Sequence, residues 1–299
     1  MRSSLQWSVA GLGALLLATA AQAGEDTRFV ADAEVTLTHD SNISRAERER
    51  DILPDQGALV AGGVTLLTEP SATTALNLRA FVEGEAWLDS EPLNRSTGGG
   101  QVVGRWKPNP GFLAPTYQMT LTAQLDDYGV DQRDSTVYSA QVFASRRLTD
   151  RVLFTYGLEG VERHSDGTVF DVAHGRIFMN ADFELNASWS AYGAWSYLRG
   201  DTFSSAQFTF CNGASATDIF GLINASEALE SDEGLNEAYC GSWIAYRVPA
   251  GTHSFTAGLN HAINHSLSVD ISAQDVRVHA KGDNDYRRLL LRAGLLMRF

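Results

Sequence analysis

From Leu76 to Leu88 the chain alternates. Leu76, Leu78, Ala80, Val82, Gly84, Ala86 and Leu88 fall on one side, and Asn77, Arg79, Phe81, Glu83, Glu85 and Trp87 on the other. A period of two is the repeat of an extended strand, whose successive side chains point to opposite faces of a sheet. Three ionised residues on one face and mostly aliphatic residues on the other require two unlike environments on either side of one sheet.

The same pattern recurs along the chain. Tyr117, Met119, Leu121, Ala123 and Leu125 alternate with Gln118, Thr120, Thr122, Gln124 and Asp126. After one apolar exception at Leu153, Val152, Phe154, Tyr156 and Leu158 alternate with Thr155, Gly157 and Glu159, and Ala173 to Ala181 opposes His174, Arg176, Phe178, Asn180 and Asp182. Trp189, Ala191, Gly193, Trp195 and Tyr197 form a further such face, and Asp32, Glu34 and Thr36 oppose Ala31, Ala33, Val35 and Leu37 near the start. Short connections near 69–73, 108–115, 147–151, 185–188 and 249–252 alternate with longer, polar ones near 39–56, 89–98, 127–135, 164–171, 200–238 and 262–285. That ordering predicts one closed antiparallel β-barrel of about twelve strands, with short periplasmic turns and long external loops. Ser268–Val278 also alternates, which leaves ten or fourteen strands open.

The first residues predict an exported chain. Arg2 precedes an apolar run, Val9–Ala20, and Ala21-Gln22-Ala23 has the small-x-small form of a signal-peptidase site. The expected division is 1–23 as signal peptide and 24–299 as barrel. The run is shorter than the roughly 20 residues a spanning helix needs. The net charge of −13 argues against nucleic acid as a partner, because phosphates are held by Lys and Arg. Cys211 and Cys240 in an exported chain read as a disulfide.

The last strand is the most specific signal. Leu289, Leu291, Ala293, Leu295, Met297 and terminal Phe299 share one face, opposite Arg288, Leu290, Arg292, Gly294, Leu296 and Arg298. Here the chain resembles Gram-negative outer-membrane β-barrel proteins of the porin-like kind. In those proteins a final strand ending in an aromatic residue is read by the barrel assembly machinery. The resemblance implies an assembly signal at Leu295, Met297 and Phe299, an outer-membrane location, and surroundings of outer-membrane lipid and lipopolysaccharide. The segment Thr38–Ala46 is also similar to an aromatic-Asp-Ser/Asp-Asn-Ile/Val stretch after the first strand of several proteobacterial barrels, with His39 replacing the usual aromatic. A secreted soluble β-sandwich or lipocalin-like barrel would also alternate. It would not account for the terminal aromatic or the alternation of turn lengths.

A charge on the lipid side of a barrel costs roughly 2–4 kcal/mol at mid-membrane for Arg or Lys. Asp32, Glu34, Arg79, Glu83, Glu85, Glu159, Arg176, Asp182, Arg288 and Arg292 are therefore the expected lumen-facing residues. The leading functional expectation is a small channel for passive diffusion of small hydrophilic solutes, favouring cations. The alternative is a non-conducting structural, adhesive or assembly-assisting barrel whose external loops bind a partner.

The stretch between the two cysteines and its flanks carries Asp201, Asp218, Glu227, Glu230, Asp232, Glu233 and Glu237 with no Lys or Arg between them. It reads as a solvated acidic loop, as a lid that attracts cations, or as a site for divalent cations bridging lipopolysaccharide phosphates. The cluster Arg45, Glu47, Arg48, Glu49, Arg50 and Asp51 is expected to pair locally and to contact lipopolysaccharide. No catalytic constellation is expected: His164, Ser165 and Asp166 are consecutive, so a strand would split them between faces. His261 and His265 on a strand would stand roughly 13 Å apart, too far to share a metal. No cofactor is implied.

Overall fold

The computed structural model describes residues 27–282 and 284–299. The expected signal peptide lies outside the described residues. Thirteen strands run in chain order: β1 Thr27–Asp40, β2 Asp55–Ser71, β3 Thr74–Trp87, β4 Arg95–Trp106, β5 Thr116–Tyr128, β6 Ser135–Arg147, β7 Val152–Ser165, β8 Val172–Glu184, β9 Trp189–Thr209, β10 Ala228–Ser231, β11 Ser242–Ala262, β12 Leu267–Ala280 and β13 Tyr286–Arg298. Twelve of them pair antiparallel in sequence around a ring, and β13 closes it against β1 from Asp32↔Arg298 to Asp40↔Leu290. Closure is what a sheet in hydrocarbon requires, because lipid offers nothing to an unpaired N–H or C=O. The four-residue β10 lies outside the ring proper. It continues the ladder on the edge of β11 beyond the point where β12 stops, pairing Ala228↔Arg247 to Ser231↔Ile244.

Exposure separates the two faces of the wall. Val60, Leu76, Val82, Leu121, Leu125, Ile271 and Leu291 are 41–64% exposed on the convex side. A dry barrel core would have buried them. Trp106, Tyr117 and Trp189 stand on this face near the short turns, with Tyr138 near the external rim. Aromatic residues at both edges of an apolar band are the signature of a membrane-spanning barrel. The chain is thus an outer-membrane type of β-barrel, porin-like in architecture, as its alternation and last strand predict.

Two connections differ from the sequence expectation. Pro249–Thr252 is not a turn but the middle of β11, which runs unbroken for 21 residues. The Pro249 carbonyl accepts from Lys281 N on the β12 side. Its missing N–H therefore points to that same side, into the gap between the end of β12 at Ala280 and the start of β10 at Ala228. Proline costs little where no ladder partner exists. Conversely, 262–285 is not one external loop, because Leu267–Ala280 is a full barrel strand between turns at 263–266 and 281–285. The two misreadings cancel, so the expected strand number survives. Asp275 and Arg277 on the outward face of β12 gave that strand its loop-like look.

Candidate functional site: the charged lumen and its external cap

Inward side chains along the barrel form ion pairs that cross strands. Arg79 Nη2 on β3 reaches Asp32 Oδ2 on β1 at 2.6 Å, lying over Gly63 of the intervening strand. A Cβ at Gly63 would sit 2.7 Å from that guanidinium. Gly157 does the same for Phe178, whose ring lies 2.7 Å from where a Cβ would be. Glycine at these two positions lets a large neighbour lie flat along the wall instead of projecting across the bore. Arg176 pairs with Glu159 at 2.6 Å on adjacent strands. Arg292 donates to Gln274, and Tyr192 to Asp270.

Towards the external end the charges tighten into one network. Arg95 lies 3.9 Å from Glu83, 3.4 Å from Glu85 and 3.8 Å from Asp126, and Arg163 holds Asp126 at 3.0 Å. Three carboxylates meet two guanidiniums there, leaving an excess of negative charge. Glu34 accepts from Thr36, and neither Glu34 nor Asp182 has a basic partner within ion-pair distance among the described residues. The side chains of Asp32, Arg79, Glu83 and Arg176 remain 27–36% exposed. On the concave face that exposure is to the space inside the barrel. The ten residues share one face by register, and two of them, Glu83 and Glu85, meet Arg95, which with Asp126 and Arg163 the sequence did not single out.

The external mouth carries a cap. β9 and β11 continue past the membrane as a long hairpin, with pairing from Asp201↔Pro249 up to Ser242↔Thr209. Short helices at Phe220–Ala225 and Glu233–Ala238 fill the connection. The clusters of buried apolar residues gather largely here. Leu235 and Trp243 of the cap pack with Leu93, Ile43, Leu53 and Trp87 from neighbouring loops and rim. Phe203 and Ala245 pack with Val169 and Phe170. Ala206, Ile219, Leu222, Tyr246 and Val248 form a core within the cap itself.

One residue pins the cap. Asp232 is fully buried, accepts two 3.0 Å hydrogen bonds from Arg133 Nη2 and one of 2.6 Å from Ser205, and accepts from Leu235 N at a helix start. Arg133 in turn stacks on Phe170 at 4.3 Å. A second contact joins the cap to the first loop: Arg48 and Arg50 reach Asp218 at 3.2 and 2.7 Å. Glu230 accepts from Val169 N. The acidic stretch is divided: Glu227, Glu233 and Glu237 stay exposed to solvent, while Asp218, Glu230 and Asp232 make contacts. Three of its carboxylates fasten the cap to other loops, and among the described residues no three potential ligands gather around a metal site. The Arg45–Asp51 cluster is likewise docking ground for the cap rather than a set of mainly local pairs: Arg45 stacks 3.9 Å over Phe203, and burial lowers its guanidinium pKa to about 10.

The hydrogen bond from Arg50 holds the Asp218 carboxyl below the usual carboxylate range. A lowered folded-state value means that this contact contributes in full at neutral pH and is lost as pH falls through that value. Cys211 and Cys240 are disulfide-bonded across the cap, 29 residues apart in sequence. In the loop-entropy model such a link stabilises by roughly 3–4 kcal/mol. Replacing both with serine is expected to speed hydrogen exchange across 210–241, with the heat resistance of the barrel unchanged. An unfolded barrel would show the bond to be needed for the ring itself.

The Thr38–Ala46 segment has a structural explanation that spacing alone did not supply. Asp40, fully buried, pairs with Arg288 and accepts from Asn42 N. Asn42 donates to Ala46 O and Arg287 O and accepts from Ala46 N and Ser44 Oγ. The single Ser44 hydroxyl hydrogen is shared between Asn42 Oδ1 and Asp51 O, at 3.0 and 2.7 Å from its oxygen. The Asp-Ser-Asn-Ile-Ser run is a buried knot at the top of the seam where β1 meets β13.

The remaining candidates do not converge. Ser165 Oγ donates to Phe170 O, while His164 lies beside Glu162 and Asp171, so His164, Ser165 and Asp166 do not line up as a proton relay. His261 stacks on Trp189 at 4.3 Å.

No protein-family model matches the chain, and no curated protein matches it. Its likeness is to solved structures. An outer membrane channel from Pseudomonas putida superposes with a TM-score of 0.52 at 11% identity, covering 93% of this chain and 99% of that one. The NanC porin gives 0.45 at 9% identity over 89% and 98%. An anion-selective porin from Comamonas acidovorans gives 0.43 at 8% over 91% and 99%. The first of these likenesses places the chain in the same fold.

Proposed function

We propose that the protein is a passive channel for small hydrophilic solutes that favours cations, with the hairpin cap setting the width of its external entrance. The observation that supports this reading is the charged inward face, where partly exposed Glu83 and Glu85, with buried Asp126, outnumber Arg95 and Arg163. A low-dielectric wall focuses such an excess along the axis, raising cation and lowering anion concentration. The P. putida structure of the same fold is itself described as a channel, which supports the reading.

The test is a reversal potential across a planar bilayer under a KCl gradient. Wild type is expected to favour potassium, and Glu83→Gln with Glu85→Gln to lower the cation-to-anion permeability ratio at least about twofold. A ratio of one in wild type, or no change in the double variant, would contradict cation preference. A current no larger than that of the bare bilayer would contradict the channel. The ordered apolar clusters of the external loops favour a second reading, a non-conducting barrel whose cap presents a surface to a partner. Absence of current that persists when the cap is released would favour that reading.

A further inference from the structure

Seen from outside, the barrel of this acidic chain sets two arginines face to face, with Asp275 between them and the His279–Asp285 pair beside them. We propose that Arg277 and Arg287, flanked by Arg199, bind a phosphate of the outer-leaflet glycolipid, lipopolysaccharide, at the external rim of the lipid-facing wall. Arg277 on β12 and Arg287 on β13 are directly opposite in register and both side chains are more than half exposed. Like charges facing each other across a ladder are unfavourable unless an anion lies between them. Here a single carboxylate does part of this: Asp275 Oδ2 accepts from Arg277 Nε at 2.8 Å and Oδ1 from Arg287 Nε at 2.5 Å. One carboxylate between two guanidiniums leaves a net positive charge. Because each arginine is held through Nε, its terminal nitrogens remain for a second anion. Arg199 extends the patch: it pairs in register with Gly251, which pairs on its other side with His279, two residues from Arg277.

The position selects the anion. On the same outward face the next residues down are Leu289 and Leu291 on β13 and, beyond Asp275, Ala273 and Ile271 on β12. Arg277 also lies 6.0 Å over the Phe255 ring. The guanidiniums therefore stand about 7 Å, one residue pair, above exposed apolar wall. A ligand that fills both levels has a phosphate joined to acyl chains, and Arg matches phosphate through paired N–H donors. The patch lies at the end of the barrel that bears the long loops and the cap, which is the outer leaflet side. The inference rests on the orientation of the wall and not on whether the lumen conducts.

The test is native mass spectrometry of full-length protein extracted from outer membranes, with lipopolysaccharide adducts counted. In parallel, the protein is refolded into phosphatidylcholine vesicles containing either lipopolysaccharide or phosphatidylglycerol. Arg277→Gln with Arg287→Gln is expected to cut lipopolysaccharide retention about tenfold. Asp275→Asn, which removes the competing carboxylate, is expected to raise it at least twofold. Wild-type retention in the double variant overturns the proposal. So does a fall or no change with Asp275→Asn, the result of a purely structural triad, which reads out even if the double variant fails to fold. Equal retention of phosphatidylglycerol overturns the assignment to lipopolysaccharide.

Discussion

Replacing Asp232 with alanine is expected to release the cap and raise the conductance of the barrel. Asp232 is fully buried and is the only carboxylate within ion-pair distance of the largely buried Arg133 among the described residues. Removing one partner of a buried pair typically costs 3–5 kcal/mol, because the other charge is left without compensation. Ser205 and the first turn of the Glu233–Ala238 helix lose their acceptor at the same time. At about 1.4 kcal/mol per tenfold, the equilibrium between docked and undocked cap shifts by about two orders of magnitude or more. The ring strands do not depend on this contact, so the change should be confined to the cap. Hydrogen exchange should accelerate across 203–245, and open-channel current should rise with the barrel still heat-resistant on a gel. An unchanged current with accelerated exchange would show that the cap does not narrow the path.

Asn42→Ala is expected to cost the seam about 3 kcal/mol or more. The side chain is 1% exposed and makes four hydrogen bonds, two of them to the Ala46 backbone and one to Arg287 O on the last strand. Alanine leaves buried backbone groups unpaired, at roughly 1–3 kcal/mol each. Asn42→Asp separates the donors from the acceptors. It keeps the oxygen that Ala46 N needs but loses both N–H donors and adds a charge near buried Asp40 and Asp51. Urea titration of refolded protein should place wild type above both variants. If Asn42→Asp unfolds at the wild-type midpoint, the donated bonds to Ala46 and Arg287 contribute nothing.

The strands were legible wherever charge marked one face. Arg79, Glu83 and Glu85 fix the register of β3, and Arg288, Arg292 and Arg298 that of β13. They were not legible where a local signal outweighed the ladder. Pro249 reads as a turn because its effect on a strand depends on whether a neighbour is present, and that neighbour is set by where β12 ends, some thirty residues away. β12 reads as part of a loop because Asp275 and Arg277 look outward, at a height where the wall meets headgroups rather than tails.

For the site, period two was enough to list residues on the polar face but not to say which meet. Arg95 and Asp126 meet as diagonal neighbours on one face of the β4–β5 ladder, which depends on a strand register that period two does not give. Asp232 and Arg133 are 99 residues apart in sequence. Nothing in the composition of an acidic loop separates a solvated carboxylate from one that pins a cap. The run Asp40-Ser41-Asn42 came closest to being readable, since Asp and Asn beside small residues favour side-chain-to-backbone turns.

A channel of this kind requires the charged face to look into water that solutes cross. The most direct test is single-channel current before and after adding a small cationic thiol reagent, compared between Glu83→Cys and Val82→Cys in a background with both native cysteines replaced. Current through the Glu83→Cys protein should fall in discrete steps on modification, while Val82→Cys, turned to lipid, should not respond. A blocked Val82→Cys with an unaffected Glu83→Cys would contradict the account.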